Sequence, residues 1–168
     1  MKCTSSPQRY LDECLSVMKA DGARITRTRK AVIECLAVTE HPLTPQAIVQ
    51  LLSKNQIDNT KNPGNAPEVE ENNSIDLASV YRILKYMSSL GLVHQLGSDG
   101  GFFPCTHASC NSGVHLLTRC EQCENTKEIH MPKDITAGLI WYIENETDFL
   151  PESHILEISG TCNNCRSI

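Results

Sequence analysis

Apolar side chains in the first half of the chain recur every three or four residues, the spacing that buries one face of a helix. This pattern predicts four helices, over residues 8–20, 27–39, 45–52 and 76–91. The boundaries carry matching signals, because Thr44 and Asp76 are good N-caps and Gly91 is a good C-terminal stop.

Two further segments of the first half do not have the helical pattern. Residues 55–74 are poor in apolar side chains and rich in Asn, Pro and Glu, which predicts a mobile acidic loop or insertion. Leu92–Leu96 and Phe102–Cys105 resemble short strands, and the glycine-rich stretch between them predicts a hairpin. Three helices, a fourth helix and a hairpin follow one another in the order of a winged helix-turn-helix domain. In such a domain residues 76–91 would enter the major groove of DNA.

The second half has the pattern of a small α+β module. Strands are predicted over residues 115–120, 126–131 and 154–160, and a helix over 133–147. The apolar residues of this helix fall on one side, at Ile135, Leu139, Ile140 and Ile143. The fold class is therefore α+β, with a winged helix in residues 1–98 and a smaller α/β domain in residues 99–168.

Length and charge agree with two small domains. The chain has 168 residues, 40% of them apolar, and contains neither a membrane span nor an N-terminal secretion signal, which predicts a cytoplasmic location. Residues 1–98 carry 11 basic and 10 acidic side chains, whereas residues 99–168 carry 4 and 10. The acidity thus belongs to the second half, and the first half is not too acidic to bind DNA.

The cysteine spacing carries the most specific chemistry. Nine cysteines are many for a chain of this length, and in a reducing compartment they suit metal ligation better than disulfides. Two Cys-x-x-Cys knuckles, Cys120 with Cys123 and Cys162 with Cys165, supply four thiolates. Four thiolates complete a tetrahedral zinc shell without an open position, so we predict a structural zinc ion. The alternatives are four unrelated thiols or a redox pair.

A second group of possible ligands is less specific. His94 lies on the first strand of the hairpin and Cys105 ends the second, while His115 and Glu128 lie on the strands that flank the first knuckle. A thiolate, two imidazoles and a carboxylate suit zinc. From the chemistry alone, the alternative interpretation is two solvated histidines, a surface glutamate and a strand-end cysteine.

Several polar side chains of the fourth helix lie off its apolar stripe and are candidates for DNA contact. Arg82 is the candidate for reading a base, because a guanidinium offers two donors to guanine. Tyr81 would contact a thymine methyl or a phosphate, and Ser79 and Lys85 would hold phosphates. Basic residues ahead of the second helix would add backbone or minor-groove contacts, namely Arg24, Arg27 and Arg29.

Taken together, these motifs resemble those of the Fur family of metal-responsive repressors over nearly the whole chain. The resemblance rests on residues 24–29 (RITRTR), on residues 78–84 (ASVYRIL) and on the paired knuckles. It implies a winged helix followed by a dimerisation domain, and a homodimer whose metal-bound form grips operator DNA. No enzymatic activity, small-molecule substrate or membrane partner is implied.

The zinc-sensing branch of this family is the most similar in its regulatory site. His94 and Cys105 are eleven residues apart and Cys105 precedes Cys120 by fifteen, as in that branch. The resemblance therefore implies a regulatory zinc held by His94, Cys105, His115 and Glu128, in addition to the structural ion, which makes two zinc ions per chain. His107 and Cys110 are rival ligands to His115.

The expected function is a zinc-responsive regulator, mainly a repressor of zinc uptake genes. An iron, manganese or peroxide sensor of the same family is the first alternative. A zinc-ribbon adaptor that binds protein is another. A zinc deaminase is disfavoured, because its His-x-Glu and Pro-Cys-x-x-Cys motifs are absent from the sequence.

Overall fold

A computed structural model describes residues 6–59, 75–97, 100–106, 114–151 and 155–167. The chain divides into two compact units, residues 1–106 and 107–168. The predicted boundary at residues 98 and 99 would separate the two strands of the hairpin, whereas in the structure both belong to the first unit. Within the described ranges, no helix has the length and apolar character that crossing a bilayer requires.

The first unit contains the four predicted helices, each starting at a capping residue. They are α1 (Pro7–Ala20), α2 (Arg27–Ala37), α3 (Pro45–Asn59) and α4 (Leu77–Ser89). The side chains of Ser6, Thr26 and Asp76 accept hydrogen bonds from backbone amides three residues later, which satisfies donors that a helix start leaves open. At the end of α4, Gly91 has φ +69°, the left-handed conformation that a glycine adopts without steric cost.

One boundary of the first half was predicted wrongly. Residues 55–59 were assigned to the loop over 55–74, but α3 continues through them to Asn59. Each residue added to an existing helix gains one backbone hydrogen bond for the ordering of one residue. A run of polar residues that contains no Pro or Gly therefore does not stop the helix. Residues 60–74 lie outside the described residues. At the end of α2 the difference is smaller, since the helix ends at Ala37 and not at residue 39.

The predicted hairpin is present as β1 (Val93–Gln95) and β2 (Phe102–Pro104), paired antiparallel with His94 opposite Phe103. Leu43 adds a bridge to Phe102 on the other side. Phe102 is fully buried together with apolar side chains of all four helices, among them Met18, Ile33, Ile48 and Leu84. The hairpin is thereby fixed to the helices as the wing of a winged helix.

The second unit is a three-stranded sheet with one long helix. Its strands are β3 (His115–Cys120), β4 (Thr126–His130) and β5 (Ile155–Gly160), and its helices are α5 (Lys133–Thr147) and the short α6 (Asn163–Arg166). The strand order is β4-β3-β5, with β4 antiparallel and β5 parallel to β3. The strands and α5 were predicted, whereas α6 is too short to leave a periodic signal.

The core of the second unit is small. Among its described residues the buried apolar side chains are Val114, Leu117 and Cys120. The predicted apolar side of α5 is only partly buried in the single chain, since Leu139, Ile140 and Ile143 are half-buried and Ile135 is 55% exposed. Trp141, which lies off that side, is 63% exposed. The helix therefore presents apolar surface that this unit alone does not cover.

Candidate metal centre and nucleic-acid interface

The sheet of the second unit brings the two cysteine knuckles together. Cys120 is the last residue of β3, and its register partner on β5 is Gly160, two residues before Cys162. Because β3 and β5 run parallel, both strands deliver their knuckles to the same end of the sheet. The amide of Glu121 donates to the carbonyl of Gly160 at 2.9 Å, which continues the pairing into the first knuckle.

The four sulfur atoms converge on one point. All four Sγ atoms lie within 4.8 Å of one another, and those of Cys123 and Cys162 are 3.8 Å apart. The first knuckle is closed by Glu124, which has φ +58° and donates its amide to the carbonyl of Cys120 at 2.8 Å. None of the four cysteines forms a disulfide.

Backbone amides prepare one sulfur of this cluster to be a thiolate. The amide of Cys162 donates to Sγ of Cys120 at 3.4 Å. This hydrogen bond, with those from the amides of Cys123 and Gln122, lowers the pKa of Cys120 to about 6. By contrast, hydrogen bonding to Cys162 raises the pKa of Cys165 to about 12, since neighbouring sulfurs cannot all carry a negative charge unaided. A divalent cation removes this conflict, so the donor set fits a four-coordinate zinc ion.

The first unit places one pair of predicted ligands side by side in the wing. His94 lies on β1, and Cys105 follows β2 and donates its amide to the carbonyl of Leu92 at 3.0 Å. Both side chains are buried, and their ligand atoms lie within 4.8 Å of each other. A buried imidazole beside a buried thiol is a donor pair suited to zinc.

The second unit places the other predicted pair on its sheet. Nδ1 of His115 lies 2.5 Å from Oε1 of Glu128, across the antiparallel pair of β3 and β4. The Glu128 side chain is 1% exposed, so its carboxylate is held away from water by this pairing. His107 and Cys110, the rival ligands to His115, lie outside the described residues.

The exposed face of α4 carries most of the predicted DNA-contacting residues. Tyr81, Arg82 and Lys85 are exposed, and the opposite side of the helix is buried at Val80, Ile83, Leu84 and Met87. On this face the Lys85 ammonium makes a cation–π contact with the Tyr81 ring, and its Nζ lies 5.6 Å from the ring centroid. A basic, aromatic helix face of this kind can lie against a phosphate backbone and reach base edges.

Ser79 and Arg82 are linked to the cap of α4. Asp76 accepts from the amide of Ser79 at 2.8 Å and from its hydroxyl at 2.6 Å. The same hydroxyl accepts from Nη2 of Arg82 at 3.1 Å. Ser79 therefore orients the Arg82 guanidinium, a contact that the sequence did not predict although the i, i+3 spacing is a usable signal for it.

The basic segment before α2 is anchored by Arg29. Its Nη1 donates to the carbonyl of Arg24 at 2.6 Å, and its guanidinium lies 5.1 Å from the centroid of the Tyr86 ring on α4. Tyr86 in turn donates its hydroxyl to Asp21 at 2.5 Å. Arg24 and Arg27 are exposed, so their side chains face the solvent from a segment that α4 holds in place.

The fold and the donor sets define a winged-helix protein with metal-binding groups, and comparison with known proteins gives its family. Residues 66–159 match the model of the Ferric uptake regulator family. The chain belongs to this family of metal-responsive transcription regulators, which bind DNA and are not enzymes.

Two curated relatives illustrate the range of the family. The chain is 31% identical over 152 residues to the Zinc uptake regulation protein of Mycobacterium tuberculosis, a match that covers 89% of this chain and 100% of the relative. It is also 26% identical over 163 residues to the Peroxide-responsive repressor PerR of Staphylococcus saprophyticus, with coverage of 95% and 93%.

The solved structures support the fold. A structure described as Zinc Uptake Regulator Complexed With Zinc AND DNA superposes with a TM-score of 0.75 at 16% identity, covering 98% of this chain and 97% of that one. At this identity the likeness concerns the architecture, a winged-helix domain followed by a dimerisation domain, and it confirms the predicted fold class.

Proposed function

We propose that this protein is a zinc-responsive transcription regulator, mainly a repressor of zinc uptake genes, which acts in the cytoplasm and binds operator DNA as a zinc-loaded homodimer. The observation that carries the proposal is the presence of a buried thiol, Cys105, beside the buried imidazole of His94 in the wing. Thiolate and imidazole ligands together select zinc over metals that prefer oxygen ligands.

The two ions would have different tasks. Cys120, Cys123, Cys162 and Cys165 close the coordination shell, so the ion that they hold is structural. His94 with Cys105 in the first unit, and His115 with Glu128 in the second, each supply two of the four ligands that zinc takes. We propose that these two pairs share the regulatory ion, which makes two zinc ions per chain.

Regulation would follow from the division of these ligands between two units. An ion that needs ligands from both units binds tightly only when the units adopt the arrangement that brings the two ligand pairs together. Zinc then favours that arrangement by the difference in its affinity for the alternatives. In a homodimer, the same arrangement sets the distance between the two α4 helices and hence their match to two half-sites on DNA.

The surface of the second unit supports a homodimer. Helix α5 exposes Trp141 and Tyr142, and the segment after it exposes Phe149 and Leu150. In addition, β5 is an edge strand of its sheet. A second copy of the same chain would cover both the apolar surface and the strand edge.

Cys105→Ser tests the proposal. The variant should keep the structural zinc, lose about one equivalent of zinc per chain, and lose the zinc-dependent gain in DNA affinity. Metal analysis gives the zinc content. The DNA affinity is measured by titration with a duplex that the zinc-loaded wild type selects from a random pool. Cys35→Ser is the matched control, because Cys35 lies on α2 outside both donor sets. A Cys105→Ser protein with a normal zinc response rules out Cys105 as a sensor ligand.

A peroxide sensor of the same family is the second candidate, because PerR relatives match nearly the whole chain. Such a sensor would take iron or manganese at the regulatory site and lose DNA binding on exposure to peroxide. A protein that responds to zinc and keeps its DNA affinity in dilute peroxide is not that sensor.

A further inference from the structure

One contact joins the proposed DNA-binding surface of α4 to the wing. Nζ of Lys85 donates to Oε1 of Gln95 at 2.7 Å. Lys85 is one of the exposed residues of α4, and Gln95 is the last residue of β1. The ammonium is therefore held between a partner on the wing and the Tyr81 ring on its own helix.

Gln95 is the direct neighbour of His94. Successive side chains of a strand point to opposite faces, and here His94 is buried while Gln95 is exposed. The two residues share one peptide unit, which is planar and transmits a displacement of one residue to the next. Because β1 has three residues and pairs with β2, we expect a shift of His94 to carry the backbone of Gln95 with it.

We infer that Gln95 is a positioning residue that transmits the metal state of His94 to Lys85 on α4. The inference rests on the proposed function, in which His94 binds zinc and α4 binds DNA. When the wing is held by the metal, Gln95 keeps the Lys85 ammonium in one place on the helix surface. A phosphate of the DNA then meets a charge that is already oriented, and less conformational entropy is lost on binding. When the wing is not held, the ammonium samples more positions and this advantage is lost.

Lys85 presents three N–H donors, so it can keep one on Gln95 and offer others to a phosphate. Coupling through such a contact requires that the contact differ between the zinc-loaded and zinc-free states. A residue that merely supported the fold would instead change DNA affinity equally in both states.

Gln95→Leu provides the test, since it removes the acceptor and keeps a side chain of similar size. The quantity to measure is the ratio of DNA affinity with zinc to that without zinc, for the duplex selected by the wild type. We expect this ratio to fall about two- to thirtyfold, the range found for mutations along a coupling network. The zinc content at saturation, measured by metal analysis, should stay unchanged. Gln95→Glu retains an acceptor for the ammonium and should keep the ratio near the wild-type value.

A double-mutant cycle with Lys85→Met identifies the contact. If Gln95 acts through Lys85, then adding Gln95→Leu to Lys85→Met should leave the ratio where Lys85→Met alone puts it. An equal loss of affinity in both metal states, or a further fall in the ratio of the double variant, would overturn the inference while leaving the proposed function intact. A wild-type protein without zinc-dependent DNA binding would refute both.

Discussion

The four-cysteine cluster leads to the sharpest prediction, because the second unit buries so few apolar side chains within a single chain. Cys162→Ser removes one of the four sulfur atoms that lie within 4.8 Å of one another. The buried aliphatic side chains among the described residues of this unit are Val114 and Leu117. Burying two such side chains contributes about 3–6 kcal/mol, and that is an upper estimate.

The proposed structural zinc should contribute more than this core does. Zinc bound by four side chains in a small domain contributes about 10–16 kcal/mol in apparent terms at neutral pH. A folded domain is stable by only about 5–15 kcal/mol in total. Loss of the ion should therefore unfold the second unit, while the first unit keeps its own core of four helices and a hairpin. We expect two separate unfolding events in Cys162→Ser, the first of them already complete near room temperature.

Hydrogen exchange followed by mass spectrometry separates the two units. In Cys162→Ser, peptides from β3, β4 and β5 should lose protection, and those from α2 and α4 should keep it. Because a homodimer gains stability with concentration, both proteins must be compared at one protomer concentration. Cys35→Ser should exchange like the wild type. Retention of wild-type protection in the sheet of Cys162→Ser would show that the core, and not the metal, holds this unit together.

Two further predictions concern α4. Arg82→Ala should weaken binding to the selected duplex by about 1–3 kcal/mol, or about 5- to 150-fold, and relax the base preference at one position. Lys133→Ala, which removes a positive charge from the start of α5, is the control and should have little effect on that preference. Equal losses of DNA affinity and base preference in the two variants would argue against base reading by Arg82. Hydrogen bonds from the Ser79 hydroxyl and amide lower the pKa of Asp76 below its usual 3.8. The ionised cap therefore stabilises the fold fully above pH 3.8, and this contribution is lost as the pH falls through the lowered pKa. Asp76→Asn keeps an acceptor but does not titrate. The difference between its free energy of unfolding in urea and that of the wild type should therefore shrink below pH 3.8. A difference that stays constant with pH would contradict this role of Asp76.

Local signals in the sequence predicted most of the elements. The predicted caps at Thr44 and Asp76 accept hydrogen bonds from the amides of Ala47 and Ser79. Two short strand-like runs around a glycine-rich turn predicted the hairpin, and the apolar pattern predicted the three strands of the second half. The error at residues 55–59 arose because composition argued for a loop, whereas helix propagation from α3 needs no apolar side chains.

Contacts between distant residues were beyond such signals. The hydrogen bonds from Lys85 to Gln95 and from Tyr86 to Asp21 join residues 10 and 65 positions apart. No periodicity or motif encodes which polar side chains will meet, because their meeting depends on how whole elements pack. The exposure of the α5 apolar side chains is a similar case, since a periodic pattern shows that a face is apolar without showing what covers it.

By itself, the sequence determined the α+β class and the order of the elements, and it singled out the four cysteines that we propose as zinc ligands. It could do so because capping, hydrophobic period and Cys-x-x-Cys spacing are properties of short stretches of chain. The tertiary structure alone decided that β3 and β5 run parallel and carry both knuckles to one point. It also decided that Glu128 is held in a buried pairing with His115 and that Lys85 reaches the wing. Each of these depends on strand register and helix packing, which are set by the burial of the whole apolar surface and not by any one segment.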